Sequence, residues 1–551
     1  MPSTLNFELH TGPGGRAASD ARRANGAQPA RLLLLGDFSG RGSGKAAATE
    51  QGLAAARWSA KTRLVDVDNL DAVMRLMAPQ LQLQIRGRTS DFAPQSLDDF
   101  HPDQLLQSLP PLQQGLARLQ ALQDPAQFAR AAAEWDGMRG SAGMAGTTSA
   151  PNPDPIPTST QTLTTAAAQT SPATSPATAN AIANATAAAN TSTASDLLSS
   201  LLGGKVQVAA AAPASPAPPA PRTGIEALLH NAVAGHVVPA APAHQSAYVA
   251  AAQATLADDL RAVLHDPAFQ TLEGAWRGVQ LLVSRLELGQ TLQLHLADAT
   301  LADLLADLVA AQGRVDATAL ADLFAGQGRD GGVASEATGR PHWWAVFGLF
   351  GFGDTAVDLG LLAALGTAAE RAQTPFVAMA SAELVQAALA ADPEAAANQQ
   401  SWTTLRRSEV APWLGLVNSP LLLRLPYGRR QEAVQHFDFE EITDAVEPAP
   451  LLWGAGAIAA ATLLGQAGGE SKVGTRIDTS NRTLDDLPAW VLRDADGEPR
   501  LQPCAGRYLS EAEAESLQTA GLMPLLSHRR TGAVTLHRWH SIAQPLCGLF
   551  P

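Results

Sequence analysis

The chain is 551 residues long, more than one hydrophobic core accommodates, and roughly 100 to 200 residues per domain suggests two to four domains, the lower figure being favoured because part of the length is tether. With 38 basic against 52 acidic residues and a net charge of -14 it is a poor match to a nucleic-acid binder, whose affinity comes from Lys and Arg on phosphates, and its acidity steers it toward basic partners. Cys504 and Cys547 stand far apart with no second ligand at metal spacing, so neither a disulfide framework nor a zinc site is indicated, as fits a reducing compartment.

Residues 1–28, rich in Gly, Ala and Arg, read as a flexible N-terminus. Met1 to His10 lacks the basic start and apolar stretch of a secretory signal, which points to a cytoplasmic protein. Leu32 to Leu35 form a short apolar run closed by Gly36 and Asp37, the pattern of a buried strand. Leu70, Val73, Met74 and Met77 have helical spacing with Pro79 as a stop. Leu81, Leu83 and Ile85 then alternate with glutamines and Arg86, as in a half-buried strand. Leu116, Leu119 and Leu122 predict an amphipathic helix, and Pro125 opens another containing Phe128. Residues 29–136 are thus expected to be a small α/β block.

Residues 137–243 are dominated by Ala, Thr, Ser, Pro and Asn and bury too little apolar surface to offset their ordering entropy, so they read as a disordered linker. One segment differs. Ser195 and Asp196 supply a cap, Leu197, Leu198, Leu201 and Leu202 an apolar face and Gly203 a stop, predicting a short amphipathic helix near 196–202 that orders only against a partner; a chance leucine cluster is the plainer alternative.

From 244 to 551 a second α/β or α+β block is expected, separately foldable from the first. Leu256, Leu260, Val263 and Leu264 share a helical face, Asp266-Pro267 breaks it, and Phe269, Leu272, Trp276, Val279 and Val283 mark the next helix. Leu292, Leu294 and Leu296 alternate as a strand, which directs His295 to the opposite, solvated face. An apolar run from Trp343 to Phe352, a helix over 357–372 and strands near 376–380 and 421–425 follow. The apolar stretch from Leu451 to Gln466 contains several glycines and is shorter than the roughly 18 to 20 residues of a membrane span, so no membrane insertion is expected.

The chemical motifs are weak. Gly36 to Ala46 imitates a phosphate loop ending in Gly44-Lys45, but Ser39 stands for its first glycine and Ala46 for its magnesium-binding hydroxyl, and a flexible Gly-rich surface loop is the simpler reading. Gly348, Gly351 and Gly353 follow the reverse of the dinucleotide order and suit close packing or a tight turn. Glu440 and Glu441 are adjacent and face apart, which disqualifies them as an acid and base pair. His537 and His540 lack a third ligand and read as surface residues. No catalytic, cofactor or metal residues are therefore assigned, and the chain is not expected to be an enzyme.

The ordered motifs resemble the two subunits of the contractile sheath of the type VI secretion system. Leu35-Gly36-Asp37-Phe38-Ser39-Gly40-Arg41, Val65 to Met74, Ala78 to Leu81 and Ser96-Leu97-Asp98-Asp99-Phe100-His101-Pro102 are similar to the small subunit. Asp266 to Gln270, Leu272-Glu273, Ala275-Trp276-Arg277-Gly278, Trp402 with Leu405-Arg406-Arg407-Ser408-Glu409, Leu422-Leu423-Arg424-Leu425-Pro426-Tyr427-Gly428, Phe437 to Glu441, Leu452-Trp453-Gly454 and Gly521 to Leu525 are similar to the large one. The resemblance implies a sheath component that assembles around an inner tube and contracts to drive secretion. It implies as partners other sheath subunits, the tube, the baseplate and a ClpV-type ATPase, which would recognise the helix at 197–202. It ends near Gln544-Pro545, leaving out the family's final third, so an accessory that caps or adapts the sheath is the alternative.

Overall fold

A computed structural model describes residues 29–43, 61–144, 244–326, 343–390, 396–443, 450–470, 480–493 and 498–550. The segments 1–28 and 145–243, including the leucine helix expected at 196–202, lie outside the described residues. Residues up to 132 and from 242 onward belong to one compact unit, and 133–241 to another.

The first region contributes β1 (Ala30–Gly36), β2 (Thr62–Val65), α1 (Leu70–Met77), the hairpin β3 (Leu81–Ile85) and β4 (Arg88–Phe92), then α2 (Pro102–Ser108), α3 (Pro110–Gln123) and α4 (Phe128–Met144). The second opens with α5 (Gln245–Leu264) and α6 (Pro267–Arg285), followed by β5 (Leu292–Asp298), α7 (Leu301–Ala310) and α8 (Ala319–Phe324). Next come β6 (Ala345–Phe352), α9 (Ala356–Ala372), β7 (Phe376–Ala380), α10 (Ala382–Leu389), α11 (Ala396–Arg406), β8 (Leu414–Val417) and β9 (Leu421–Arg424). The chain continues through β10 (Leu452–Gly454), α12 (Ala457–Glu470), β11 (Thr483–Leu484), β12 (Val491–Arg493), β13 (Pro499–Leu501), α13 (Glu511–Thr519), β14 (Leu525–Ser527) and β15 (Val534–Leu536).

The mixed α/β class holds, but the two regions are not independent folding units. The main sheet has the order β2-β5-β1-β6-β7-β8, so β1 of the first region lies between β5 and β6 of the second. Five of its strands run parallel and β2 closes one edge antiparallel to β5. Parallel sheets are covered on both faces, which explains why β1 is an unbroken leucine run rather than an alternation. Leu33 and Leu35 enter the core made with α7, α8 and α9. Leu32 meets the other layer, where α12 crosses the sheet and Gly465 brings its backbone close to Leu32 and Leu286.

Local chemistry builds the flanking elements as expected. Asp266 caps α6 by accepting from the amides of Ala268 and Phe269, with Pro267 at the first helical position. The β3–β4 turn places Arg86 and Gly87 at φ of 50° and 74°, the paired left-handed geometry of a tight hairpin. Its inward side chains Leu81, Leu83 and Ile85 are buried. Gly115 on α3 receives Leu256 of α5 so closely that a Cβ there would stand 2.8 Å from it, another packed contact between the regions.

The predicted solvation of His295 is overturned. Its side chain does leave the leucine face of β5, but that second face is also covered, and the ring meets Trp343 edge-on with centroids 5.1 Å apart. Among the described residues neither ring nitrogen finds a hydrogen-bond partner, and burial, with Arg31 nearby, pulls its pKa down to about 4. Gly348 and Gly353 serve packing and a turn: a Cβ on Gly348 would lie 2.6 Å from the Phe376 ring, and the Gly353 amide donates to Asp358.

Two outcomes are expected. Residues 244–551 produced alone lack the strand between β5 and β6 and should show no cooperative thermal transition, whereas co-production with residues 1–144 should yield a stable, co-purifying pair; a sharp melt of the isolated second region would contradict the shared sheet. Because the folded pKa of His295 lies below its ordinary 6.5, the unfolded chain binds the extra proton between about pH 6.5 and 4, so stability falls on acidification through that window. His295→Phe should flatten that loss, on the order of 2 to 3 kcal/mol, in urea titrations across the same range.

Candidate functional site

Most of the residues singled out by motif converge on two polar clusters, one joining the regions and one inside the second region where the first region touches it. The first lies where β1 and β5 end. The main chain of Gly36 accepts from Ala299, and the amides of Phe38 and Ser39 donate to Asp298 Oδ1 at 2.9 and 3.1 Å. Arg41 reaches Asp298 at 2.9 Å and Asp303 at 3.3 Å. Trp276 of α6 packs edge-on against Phe38 and donates its indole N–H to the Phe38 carbonyl at 3.0 Å. Gly40, at φ 76°, has no room for a side chain, since a Cβ would lie 2.9 Å from the Gln80 carbonyl.

The segment expected to be a flexible loop is thus a fastened turn through Ser43, while Gly44, Lys45 and Ala46 lie outside the described residues. Asp37 accepts from the amides of Arg41 at 3.0 Å and Gly42 at 2.7 Å. These are amides that a phosphate loop would offer to its anion, and here a carboxylate holds them. Burial and neighbouring Asp298 raise the Asp37 carboxyl above its ordinary range, against the pull of those amides.

The second cluster is buried beneath α6. Arg424 of β9 is clasped by two carboxylates: its Nε donates to Glu273 Oε1 and its Nη1 to Glu441 Oε2, both at 2.8 Å, and its Nη2 reaches the second oxygen of each at 3.3 Å. Arg277, one turn after Glu273, donates to it at 2.7 Å and to the Tyr427 hydroxyl at 2.9 Å. The Tyr427 amide donates to Glu441 at 2.8 Å, and its ring lies 4.2 Å beneath the Arg424 guanidinium. His265 Nε2 stands 3.6 Å from Glu441, beyond hydrogen-bond length but close enough to favour the carboxylate.

Two arginines against two glutamates leave the cluster close to neutral, the condition under which buried charge is tolerated. Burial opposes ionisation of Glu441, but His265, Arg424 and the Tyr427 amide outweigh it and hold its carboxyl below the ordinary 4.5. For Arg424, burial is likewise outweighed by Glu273 and Glu441, which keep it charged. Burial raises the Tyr427 hydroxyl, with Glu273 adding to the shift.

The first region touches this cluster directly. The His101 ring meets Tyr427 edge-on at 5.1 Å, and Asp103 accepts the Gln435 amide at 3.0 Å. Phe100 packs on Phe92 and Phe269, joining the hairpin to α6. Asp98 is exposed. Gly278 and Gly454 admit close neighbours: a Cβ would come within 2.3 Å of Ile458 or 2.4 Å of Leu423. Trp453 pairs with Leu422 across β10 and β9, Pro426 is buried, and a Cβ on Gly428 would overlap the Glu440 carboxylate.

Arg406 and Ser408 belong to neither cluster. Arg406 donates to the carbonyls of Ile542 at 2.8 Å and Thr519 at 2.9 Å, and Ser408 to that of Leu405 at 2.6 Å. His540 is also buried rather than a surface residue, its Nδ1 2.8 Å from the Ser541 carbonyl. The motifs did not reveal the role of Glu273 or the pairing of Glu441 with Arg424. A signal existed in α6, where Glu273 and Arg277 sit at i and i+4 beside Leu272 and Trp276 on a helix that is otherwise apolar toward the core.

The chain is similar to known proteins along both regions. Residues 246–543 match the VipB family, described as EvpB/VC_A0108, tail sheath N-terminal domain. Residues 18–133 match the family described as type VI secretion system, VipA, VC_A0107 or Hcp2. A curated relative, the type VI secretion system sheath protein TssC1 of Pseudomonas aeruginosa, is 25% identical over 314 residues, covering 54% of this chain and 61% of that protein. The chain therefore spans about three fifths of that relative's length.

Removing the central cation should leave two buried carboxylates facing each other, so Arg424→Met is expected to cost about 3 to 5 kcal/mol in chemical denaturation at pH 7. The depressed pKa of Glu441 means that its contribution is complete above pH 4.5 and is lost as pH falls through the lower folded value. The difference between Arg424→Met and the parent should accordingly shrink as the pH is taken below 4.5, and a pH-independent difference would show that the carboxylates are not its origin.

Proposed function

The chain belongs to the VipB tail sheath family, with a VipA-type region ahead of it, and on that premise we propose that it is a structural, non-enzymatic component of a type VI secretion sheath. In this reading one chain supplies both halves of a protomer, which assembles with other sheath subunits around an inner tube in the cytoplasm and contracts to drive secretion. The observation that carries it is the position of β1: the VipA-type region provides a central strand and one edge of the VipB-type sheet, so the halves form a single rigid building block. A protomer that transmits contraction must resist shear between its parts, and a sheet shared by the two halves does so better than a surface contact. The baseplate and a ClpV-type ATPase complete the proposed partners, the latter through Leu197, Leu198, Leu201 and Leu202.

Among the described residues no helix is long and apolar enough to cross a membrane, which is compatible with assembly in an aqueous compartment. An accessory that binds sheath ends is the competing reading, and electron microscopy separates the two. The purified chain, alone or mixed with separately produced sheath subunits, is expected to enter the walls of hollow tubes. Decoration confined to tube ends would favour the accessory, and nucleotide turnover abolished by Lys45→Ala would overturn both.

A further inference from the structure

We propose that the groove between α10, α11 and α13 binds a peptide segment of a partner protein in which a carboxylate side chain is flanked by apolar residues, the carboxylate pairing with Arg406. The cavity is about 660 Å³, within the range of ligand-sized clefts. Leu384, Ala388, Trp402 and Leu522 give it apolar surface, and Ser516 lines it from α13.

Arg406 sets the chemistry. The residue is 7% exposed, and its side-chain hydrogen bonds run to main-chain carbonyls, one to Ile542 and one to Thr519. A guanidinium carries five N–H donors, so these two bonds leave donors for a ligand on the groove that Arg406 lines. No described carboxylate forms an ion pair with it: Asp354 and Glu515 line the same groove beyond pairing distance, and the charged neighbour is another cation, Arg407. The contrast with Arg424, clasped by two glutamates, is internal to the molecule. A buried cation without a counter-charge is costly, and a guanidinium satisfies a carboxylate through two parallel bonds. Burial and Arg407 both weaken the protonated form of Arg406, a penalty that an arriving carboxylate would relieve. Apolar residues beside the carboxylate match the walls.

The full chain should be titrated by calorimetry with N-acetyl-Leu-Glu-Leu amide and with its Gln counterpart. The glutamate peptide is expected to bind roughly tenfold more tightly, the margin of one charge-assisted pair over a neutral one. Ser516→Trp, at an exposed position that lines the groove, should abolish binding while leaving the thermal transition in place. Arg406→Lys should weaken the glutamate peptide and narrow its advantage; if that variant fails to fold, the peptide pair and Ser516→Trp decide the matter. No binding, equal affinity of the two peptides, or binding that survives Ser516→Trp overturns the proposal.

Discussion

Four consecutive leucines without solvent on either face require a strand on each edge and a packed layer on each side, and β1 is such a strand. Burying the side chains of Leu32 to Leu35 contributes about 1.5 to 3 kcal/mol apiece, an apolar gain the VipA-type region cannot realise alone because the neighbouring strands belong to the other region. The remaining contacts between the regions are arranged around that insertion. Asp298 fastens the turn leaving β1, Trp276 holds the Phe38 carbonyl, and His101 and Asp103 bring α2 to the segment carrying Arg424 and Tyr427. Apolar burial supplies most of the adhesion, and the polar bonds fix the register.

Much of the local structure was legible because it follows from periodicity. The alternation in Leu81 to Ile85, the helical spacing of Leu70 to Met77 and the Asp266-Pro267 start of α6 each correspond to an observed element. Partnership between strands was not legible. A leucine run announces burial but not the strands that bury it, and Ala30 pairs with Leu292 across a long intervening segment. His295 failed for the same reason: alternation assigns a side chain to a face, whereas tertiary packing decides whether that face is wet. The family motifs marked Glu273, Trp276, Arg277, Arg424, Tyr427 and Glu441, yet their common purpose appeared only when the two glutamates were seen on either side of Arg424.

That ionic cluster is an unusual way to hold a core, since well-packed apolar residues of similar volume often serve as well or better. Its distinctive property is directionality. Arg424 satisfies both glutamates only when β9, α6 and the Glu441 segment are all in place, and Tyr427 adds a main-chain bond to the same carboxylate. A slipped arrangement would strand buried charges. The cluster therefore discriminates between the native packing of β9, α6 and the Glu441 segment and near neighbours that bury as much apolar surface.

The shared sheet also has a consequence in time. Arg31 bonds to Gln293, 262 positions away, so β1 leaves the ribosome well before its first sheet partner exists. At about 5 to 20 residues per second that interval is roughly 13 to 50 s. During it a strand of bare leucines must wait unpaired, and pairings this distant in sequence are intrinsically slow to close. Joining the regions in one chain makes the partner local when it finally arrives, so the concentration of the second half around the first is set by the connection rather than by expression levels. Synthesis order thus turns the innermost strand of the finished sheet into the segment of longest exposure in the nascent one.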